Sequence, residues 1–404
     1  MHASVPRKPE ARLTTVAPPA LQVHSTSPHG KAGRLLPAAS PAPAACRRDA
    51  RDSKKAQPTV LQNRTVSQIG EHALIARITG RLAMPPWVLV GPGDDAAVIA
   101  PERGALDVLS TDAQVEGVHF DRRFVPPDAI GHRALAVNLS DLAAMGAQPR
   151  AALLSLVLPG DLETSVVDGM LDGLLALAAP YRVALVGGNV TRSPGPLMID
   201  VTAIGSVRPR RVLTRAGALP GDEVYVTGTI GGAVVGLRSL QAGVGDAVGA
   251  GAGPGLKARP YPDCEQRYLR PEPRVRAGLL LGRNRAASAC IDLSDGLADG
   301  IRQIAAASGV GITIDDEAIP LADGVREYHR AQGQDPVCAA LAGGDDYELL
   351  FTVRPTLRGR LRAVKRQGGD LPITKIGVVT KPHQLVLRTA SGDTELPAGF
   401  EHFR

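Results

Sequence analysis

Gly91-Pro92-Gly93-Asp94-Asp95 decides how the rest of the chain is read. Glycine and proline make a tight bend here, and two adjacent carboxylates follow directly on it. The apolar runs Val88-Leu89-Val90 and Ala96-Ala97-Val98-Ile99 on either side place the pair between two strand-like segments. Carboxylates on a rigid bend suit a hard cation such as Mg²⁺, which takes oxygen ligands in a demanding octahedron. A lone GDD is also an ordinary polar turn. Its weight here comes from recurrence, because acids beside Gly, Ser or Thr return at Ser110-Thr111-Asp112, Ser140-Asp141, Asp292-Leu293-Ser294-Asp295-Gly296 and Gly343-Gly344-Asp345-Asp346. The pattern points to a polymetal, polyphosphate site.

Working outward, order is expected from Thr65. Helical spacing of Ile69, Leu74, Ile75, Ile78 and Leu82 predicts a first helix, with Thr65 or Ser67 as cap. Leu106–Thr111 reads as a strand that delivers Thr111 and Asp112. Pro127 opens a long helix closed by Gly146, with Asn138 and Asp141 on one face. A strand (151–158), a helix (161–179), a strand (183–187) running into Gly187-Gly188-Asn189, and a strand (197–207) complete a mixed α/β region. After a basic join at 209–220 come a strand (223–227) and a helix opened by Gly228–Gly232. Residues 243–263, rich in Gly and Pro, read as a mobile loop. Further elements are a helix (275–281), a strand (289–293), a helix from Asp295-Gly296, a helix (356–366) and strands at 347–353 and 373–379. The domains expected are 65–208 and 209–404, behind a disordered extension, 1–64, rich in Pro, Ala, Ser and Arg.

The formal charge of +6 belongs to that extension. Residues 1–64 hold eleven Lys or Arg against Glu10, Asp49 and Asp52, about +8, which leaves the remainder near −2. Nucleic-acid binding is therefore not expected of the folded part; the tail alone could supply a salt-sensitive version of it. Cys46, Cys264, Cys290 and Cys338 show no CxxC pairing, and Cys290 and Cys338 read as buried thiols. No apolar run reaches the roughly 20 residues of a membrane-spanning helix. A cytoplasmic protein is expected.

In order and spacing, the motifs resemble thiamine-monophosphate kinase, of the aminoimidazole ribonucleotide synthetase-like superfamily. They are GPGDDAAV (91–98), STDAQVEGVHF (110–120), ALAVNLSDLAAMGAQP (134–149), VGGNVTR (186–192), LTRAGALPGDEVYVTG (213–228), IDLSDGL (291–297) and GGDDYELLF (343–351). The resemblance covers about Thr65 to Phe403. Val115–Phe120 resembles the thiamine-phosphate branch; the reactive Cys of selenophosphate synthetases and the terminal Cys of the hydrogenase-maturation relatives have no counterpart here.

The resemblance implies an α/β (α+β) two-domain fold of that superfamily, with N-terminal-domain sheets pairing in a homodimer. It implies ATP- and Mg²⁺-dependent phosphorylation of thiamine monophosphate to thiamine diphosphate by direct in-line transfer, with no covalent catalytic residue. Asp95, Ser110, Thr111, Asp112, Asp141, Asn189, Asp292 and Asp295 are then the metal set. Gly187, Gly188, Arg215 and Ser294 face ATP, and His119, Asp345 and Phe400 face the substrate. The chain departs at Asn189, where the family commonly has Asp, and at Asp345, where many relatives have Glu. The alternatives are another ATP-using enzyme of the superfamily and, prompted by Asn189, a catalytically impaired nucleotide-binding regulatory protein.

Overall fold

The computed structural model describes residues 64–249, 261–381 and 384–398, without the side chains of 244–249. The expected extension, short of residue 64, and Phe400 lie outside the described residues, as do 250–260 of the expected loop. No helix among the described residues is long and apolar enough to cross a membrane.

The first part runs α1 (Val66–Ile69), α2 (Glu71–Thr79), β1 (Val88–Val90), β2 (Val98–Ile99), β3 (Leu106–Val115), α3 (Pro127–Ala144), β4 (Gln148–Pro159), α4 (Thr164–Tyr181), β5 (Ala184–Ser193) and β6 (Met198–Val207). The single first helix expected from periodicity is two. Gly70, at φ 79°, stops α1 and restarts the chain as α2, while the Thr65 amide donates to Gln68 Oε1 at 2.9 Å. β1 and β2 pair antiparallel, so the GDD bend does join two strands.

The four-stranded sheet has the order β3-β6-β4-β5, with β4 and β5 parallel and the other pairs antiparallel. Alternation sets its faces. Ile199, Val201 and Ala203 of β6 are buried toward α3 and α4, whereas Asp200, Thr202 and Ile204 face the other way, partly exposed. Strand β5 corrects the expectation for 183–187: it runs straight through Gly187-Gly188-Asn189, which are pairing residues and not a terminal turn.

The second part comprises β7 (Glu223–Thr227), α5 (Gly232–Gly249), α6 (Pro262–Leu269), α7 (Val275–Asn284), β8 (Ala289–Asp292), α8 (Leu297–Ser308), β9 (Gly311–Asp315), α9 (Val325–Ala331), α10 (Pro336–Ala342), β10 (Leu349–Val353), α11 (Arg358–Gly368), β11 (Ile373–Thr380), β12 (Leu385–Thr389) and β13 (Gly392–Glu395). Its sheet has the order β13-β12-β9-β11-β7-β10-β8. Both faces are covered: Tyr225, Cys290 and Phe351 join one core, and their neighbours Val224, Ile291 and Leu350 the other. Such strands read as continuous apolar runs, which is why β7, β8 and β10 were legible. The loop expected at 243–263 is helical at both ends, where α5 continues to Gly249 and α6 starts at Pro262. Cys290 is buried as expected, but Cys338 is exposed, because it lies in the first turn of α10, where its amide donates to Asp335 Oδ1 at 2.7 Å.

Helix α3 is shared. It packs on α4, β3 and β6 of the first part and on α7 and β8 of the second. The α3–α7 approach is so close that a Cβ at Gly278 would lie 1.9 Å from the Ala143 carbonyl oxygen. Whatever α3 carries along that seam is delivered to both domains.

Candidate active site

Three groups of residues are distinguished by which face of the sheet or of α3 they occupy. The first lies in the seam. On β3, Ser110 and Asp112 point toward α3, where the Ser110 hydroxyl donates to Asp141 Oδ2. One residue earlier on α3, the Ser140 hydroxyl donates across the seam to Asp292 Oδ2 at 2.7 Å, at the end of β8. Adjacent α3 residues thus reach acids of both domains. Burial, then the charge of Asp141 and a hydrogen bond to it, push the Asp112 carboxyl up to about 7, with Asp292 and Asp200 adding to the effect. Burial followed by the Asp141 charge likewise pushes Asp292 up to about 7, against the hydrogen bond from Ser140 and the nearby charge of Arg215. These carboxylates converge with burial and mutual charge outweighing the one nearby cation, Arg215.

The second group lines an open cleft of about 720 Å³ between the GDD bend, α2 and the outer face of the first sheet. Asp94, Asp95, Gly188, Asn189, Asp200 and Thr202 border it. Asp94 holds the bend itself, its Oδ1 accepting the Asp95 amide at 2.9 Å. Thr111 is on this side of β3, opposite to Ser110 and Asp112, and its hydroxyl donates to Asp200 Oδ1 at 3.1 Å. The reason is the two-residue period of a strand. The Ser110-Thr111-Asp112 motif therefore serves two faces. Gly188 is explained by its neighbour strand: a Cβ there would sit 1.8 Å from the Leu154 carbonyl oxygen of β4.

Asp200 was not singled out in the sequence. Its register decides its place, since Asn189 pairs with Ser155 and Ser155 with Asp200, so all three share one row on the outer face. The available signal was a lone acid at an outward position of an alternating strand.

The third group surrounds the loop Gly343–Glu348. Asp345 (φ 67°) and Tyr347 (φ 49°) both adopt the left-handed conformation that non-glycine residues rarely take. The Asp345 amide donates to the Ser294 carbonyl at 2.7 Å, which ties this loop to the one bearing Ser294 and Asp295. Asp346, the other acid of the pair, is structural: it accepts the Gly231 amide at 2.7 Å at the start of α5, and burial pushes its carboxyl up to about 7. His119 Nδ1 accepts the Val115 amide at 3.1 Å. Arg215 is exposed and donates to Gln303 Oε1.

Residues 93–207 match the model for AIR synthase related protein, N-terminal domain, and residues 220–389 that for its C-terminal domain. The thiamine-monophosphate kinase of Salmonella typhimurium is 41% identical over 313 residues, covering 76% of this chain and 90% of that protein. This chain belongs to the thiamine-monophosphate kinase family. Among solved structures, the thiamine-monophosphate kinase from Stenotrophomonas maltophilia K279a superposes with a TM-score of 0.67 at 39% identity, covering 78% of this chain and 95% of that one. AaThiL, solved in complex with AMPPCP and TMP, superposes with a TM-score of 0.64 at 33% identity, covering 83% of this chain and 97% of that one.

For a member of the thiamine-monophosphate kinase family, the donor set fits a hard divalent cation: carboxylates and hydroxyls, all oxygen, with two acids pushed up by burial and then by the charge of Asp141. Among the described residues, no three of His, Cys, Asp and Glu already stand in metal-holding geometry. Magnesium commonly takes only one or two carboxylates and completes its shell with water and substrate phosphates.

Proposed function

We propose that this chain transfers the γ-phosphoryl group of ATP to thiamine monophosphate, giving thiamine diphosphate and ADP. Family membership supports the reaction, and the meeting of Asp112, Asp141 and Asp292 across the α3 seam is the observation that carries the site. Phosphoryl transfer needs positioning and charge neutralisation more than covalent chemistry. Two phosphorylated reactants repel, and Mg²⁺, when bound, neutralises their oxygens.

In this reading Asp112, Asp141 and Asp292 hold cation in the seam, with Ser110 and Ser140 orienting the carboxylates through their hydroxyls. Asp295 and Ser294 extend that site from the second domain. Asp95, Thr111 and Asn189 serve the cleft side, where Asp200 supplies the charge that Asn189 lacks beside it. Gly187 and Gly188 present bare backbone to the nucleotide, and Arg215 pairs with its phosphates. His119 and Asp345 contact thiamine monophosphate, joined in the family pattern by Phe400. Transfer in this reading is direct and in line, as the family resemblance implies, with the seam carboxylates engaged in holding cation.

The domain boundary near 208/209, a cytoplasmic location and a homodimer belong to the same proposal. The exposed apolar residues Leu106 and Leu109 on β3, at 49% and 67%, support the dimer. Light scattering on the wild type and on Leu109→Lys tests it; a monomeric wild type excludes it.

The decisive experiment incubates purified protein with ATP, Mg²⁺ and thiamine monophosphate and follows thiamine diphosphate, with Asp112→Asn as control. Product from the wild type alone is expected. ATP binding without product would favour the regulatory reading that Asn189 suggests.

A further inference from the structure

The two residues assigned to substrate, His119 and Asp345, come from different domains, yet the same pair of side chains touches both. Arg133, on α3, is 1% exposed. Its guanidinium lies 4.3 Å from the centroid of the Tyr268 ring, Nη1 donates to the Tyr268 carbonyl, and Nη2 donates to Asp345 Oδ1 at 3.3 Å. The Tyr268 hydroxyl in turn donates to the His119 carbonyl at 3.1 Å. A chain of contacts therefore runs from His119 through Tyr268 and Arg133 to Asp345. It closes on Tyr347, whose hydroxyl donates to the same Oδ1 of Asp345 at 3.0 Å.

We propose that Arg133 and Tyr268, with Tyr347, are positioning residues that fix His119 and Asp345 as one substrate-recognising pair. The proposal rests on the assignment of thiamine monophosphate as substrate.

Stability alone is a poor account of this arrangement. A buried guanidinium is costly unless its donors are satisfied. Here Nε is buried without a partner among the described residues, and the carboxylate that Nη2 meets has a side chain 33% exposed. An apolar side chain of similar volume would fill the same space without that penalty. The loop also holds Asp345 and Tyr347 at positive φ, and such backbone strain is found chiefly where a site requires it. What the arrangement does achieve is orientation. Among the described residues, both side-chain hydrogen bonds to the Asp345 carboxylate engage Oδ1, which leaves Oδ2 as an acceptor for the substrate. A carboxylate at this position suits the cationic ring and N–H donors of the thiamine moiety and not the phosphates of ATP. Because Asp is one methylene shorter than Glu, its reach depends more strongly on being held.

The test compares Tyr268→Phe and Tyr347→Phe, which remove single hydroxyls and keep the packing, with Arg133→Lys and Arg133→Met. KM for thiamine monophosphate, KM for ATP, kcat and Tm are measured for each. KM for thiamine monophosphate should rise about tenfold for Tyr347→Phe, roughly the value of one hydrogen bond to a charged group, and about fivefold for Tyr268→Phe, whose hydroxyl donates to a neutral carbonyl. KM for ATP and kcat should stay within about twofold by the same reasoning. Arg133→Lys should show a larger rise, because a point charge cannot stack on the ring and reach both oxygens. Arg133→Met should bind thiamine monophosphate more weakly still or fail to fold, and in the latter case the tyrosine variants decide. An active wild type whose tyrosine variants lose only Tm, or whose two KM values rise together, overturns the positioning role alone. A wild type that turns over no thiamine monophosphate overturns the substrate assignment and this role with it.

Discussion

The seam at α3 and the open cleft behind the GDD bend both gather acids, in opposite settings. Asp292 is 5% exposed and Asp112 is half-buried, and each is pushed up to about 7 by burial and by its neighbours' charge. Asp94 and Asp95 stand exposed on their bend, where water already solvates them. Like charges drawn together out of water destabilise the fold until something positive joins them, whereas charges on an open rim cost little. The seam is thus where carboxylates are held together away from water, and the rim is where they are not. The cleft is an open space of about 720 Å³ with its carboxylates at the border.

Asp112→Asn should break this comparison most severely. Turnover is expected to fall by about 10²–10³-fold, as when one strong electrostatic contact to a transition state is lost. Tm of the metal-free protein should rise at the same time, because one of the repelling charges is gone. A fall in both, seen by calorimetry alongside the assay, would make the seam acids ordinary structural residues.

Gly278→Ala attacks the seam without touching an acid. Its Cβ would meet the Ala143 carbonyl oxygen at 1.9 Å and push α7 off α3. A loss of about 1–3 kcal/mol in a denaturant titration, with a drop in turnover, is expected. Unchanged turnover would show that the two domains need not be held so closely.

On the cleft side, Asn189→Asp adds a charge in the row shared with Ser155 and Asp200. Mg²⁺ affinity, read by Mn²⁺ displacement, should tighten about tenfold while Tm stays nearly constant. No change would mean that Asp200 already saturates that position or that cation does not bind there.

The smallest effect is expected far from both regions. Hydrogen bonds from Arg358, Lys375 and Tyr225 hold the Glu223 carboxyl down at about 2, below its ordinary 4.5. A depressed carboxylate contributes stability that is complete above 4.5 and is lost as pH falls through about 2. Glu223→Gln should therefore flatten part of the acid limb of unfolding between those values and leave the neutral-pH kinetics of both sites unchanged.

Much of this was legible in the chain. The GDD bend between strands, the helix opened by Pro127 and the buried strands β7, β8 and β10 follow from turn chemistry and apolar runs, which act over a few residues. The short strands β9, β12 and β13 were missed, as were α6, α9 and α10. Strand β12, for instance, joins the sheet by pairing with β9, which is distant in sequence. Asp345 and Asp346 look alike as sequence, and only the approach of Gly231 makes one of them a cap.

What the sequence determined by itself is the inventory: acids beside Gly, Ser and Thr at set intervals, and the family those intervals mark. Local physics suffices for that, since a turn or an amphipathic helix is encoded within its own residues. The tertiary structure alone decided how the inventory is divided. It sends Thr111 to one face and its neighbours Ser110 and Asp112 to the other, and it brings Asp200 beside Asn189. It also joins His119 to Asp345 through a buried arginine. Strand register and helix packing set those distances, and both come from contacts between residues far apart in the chain.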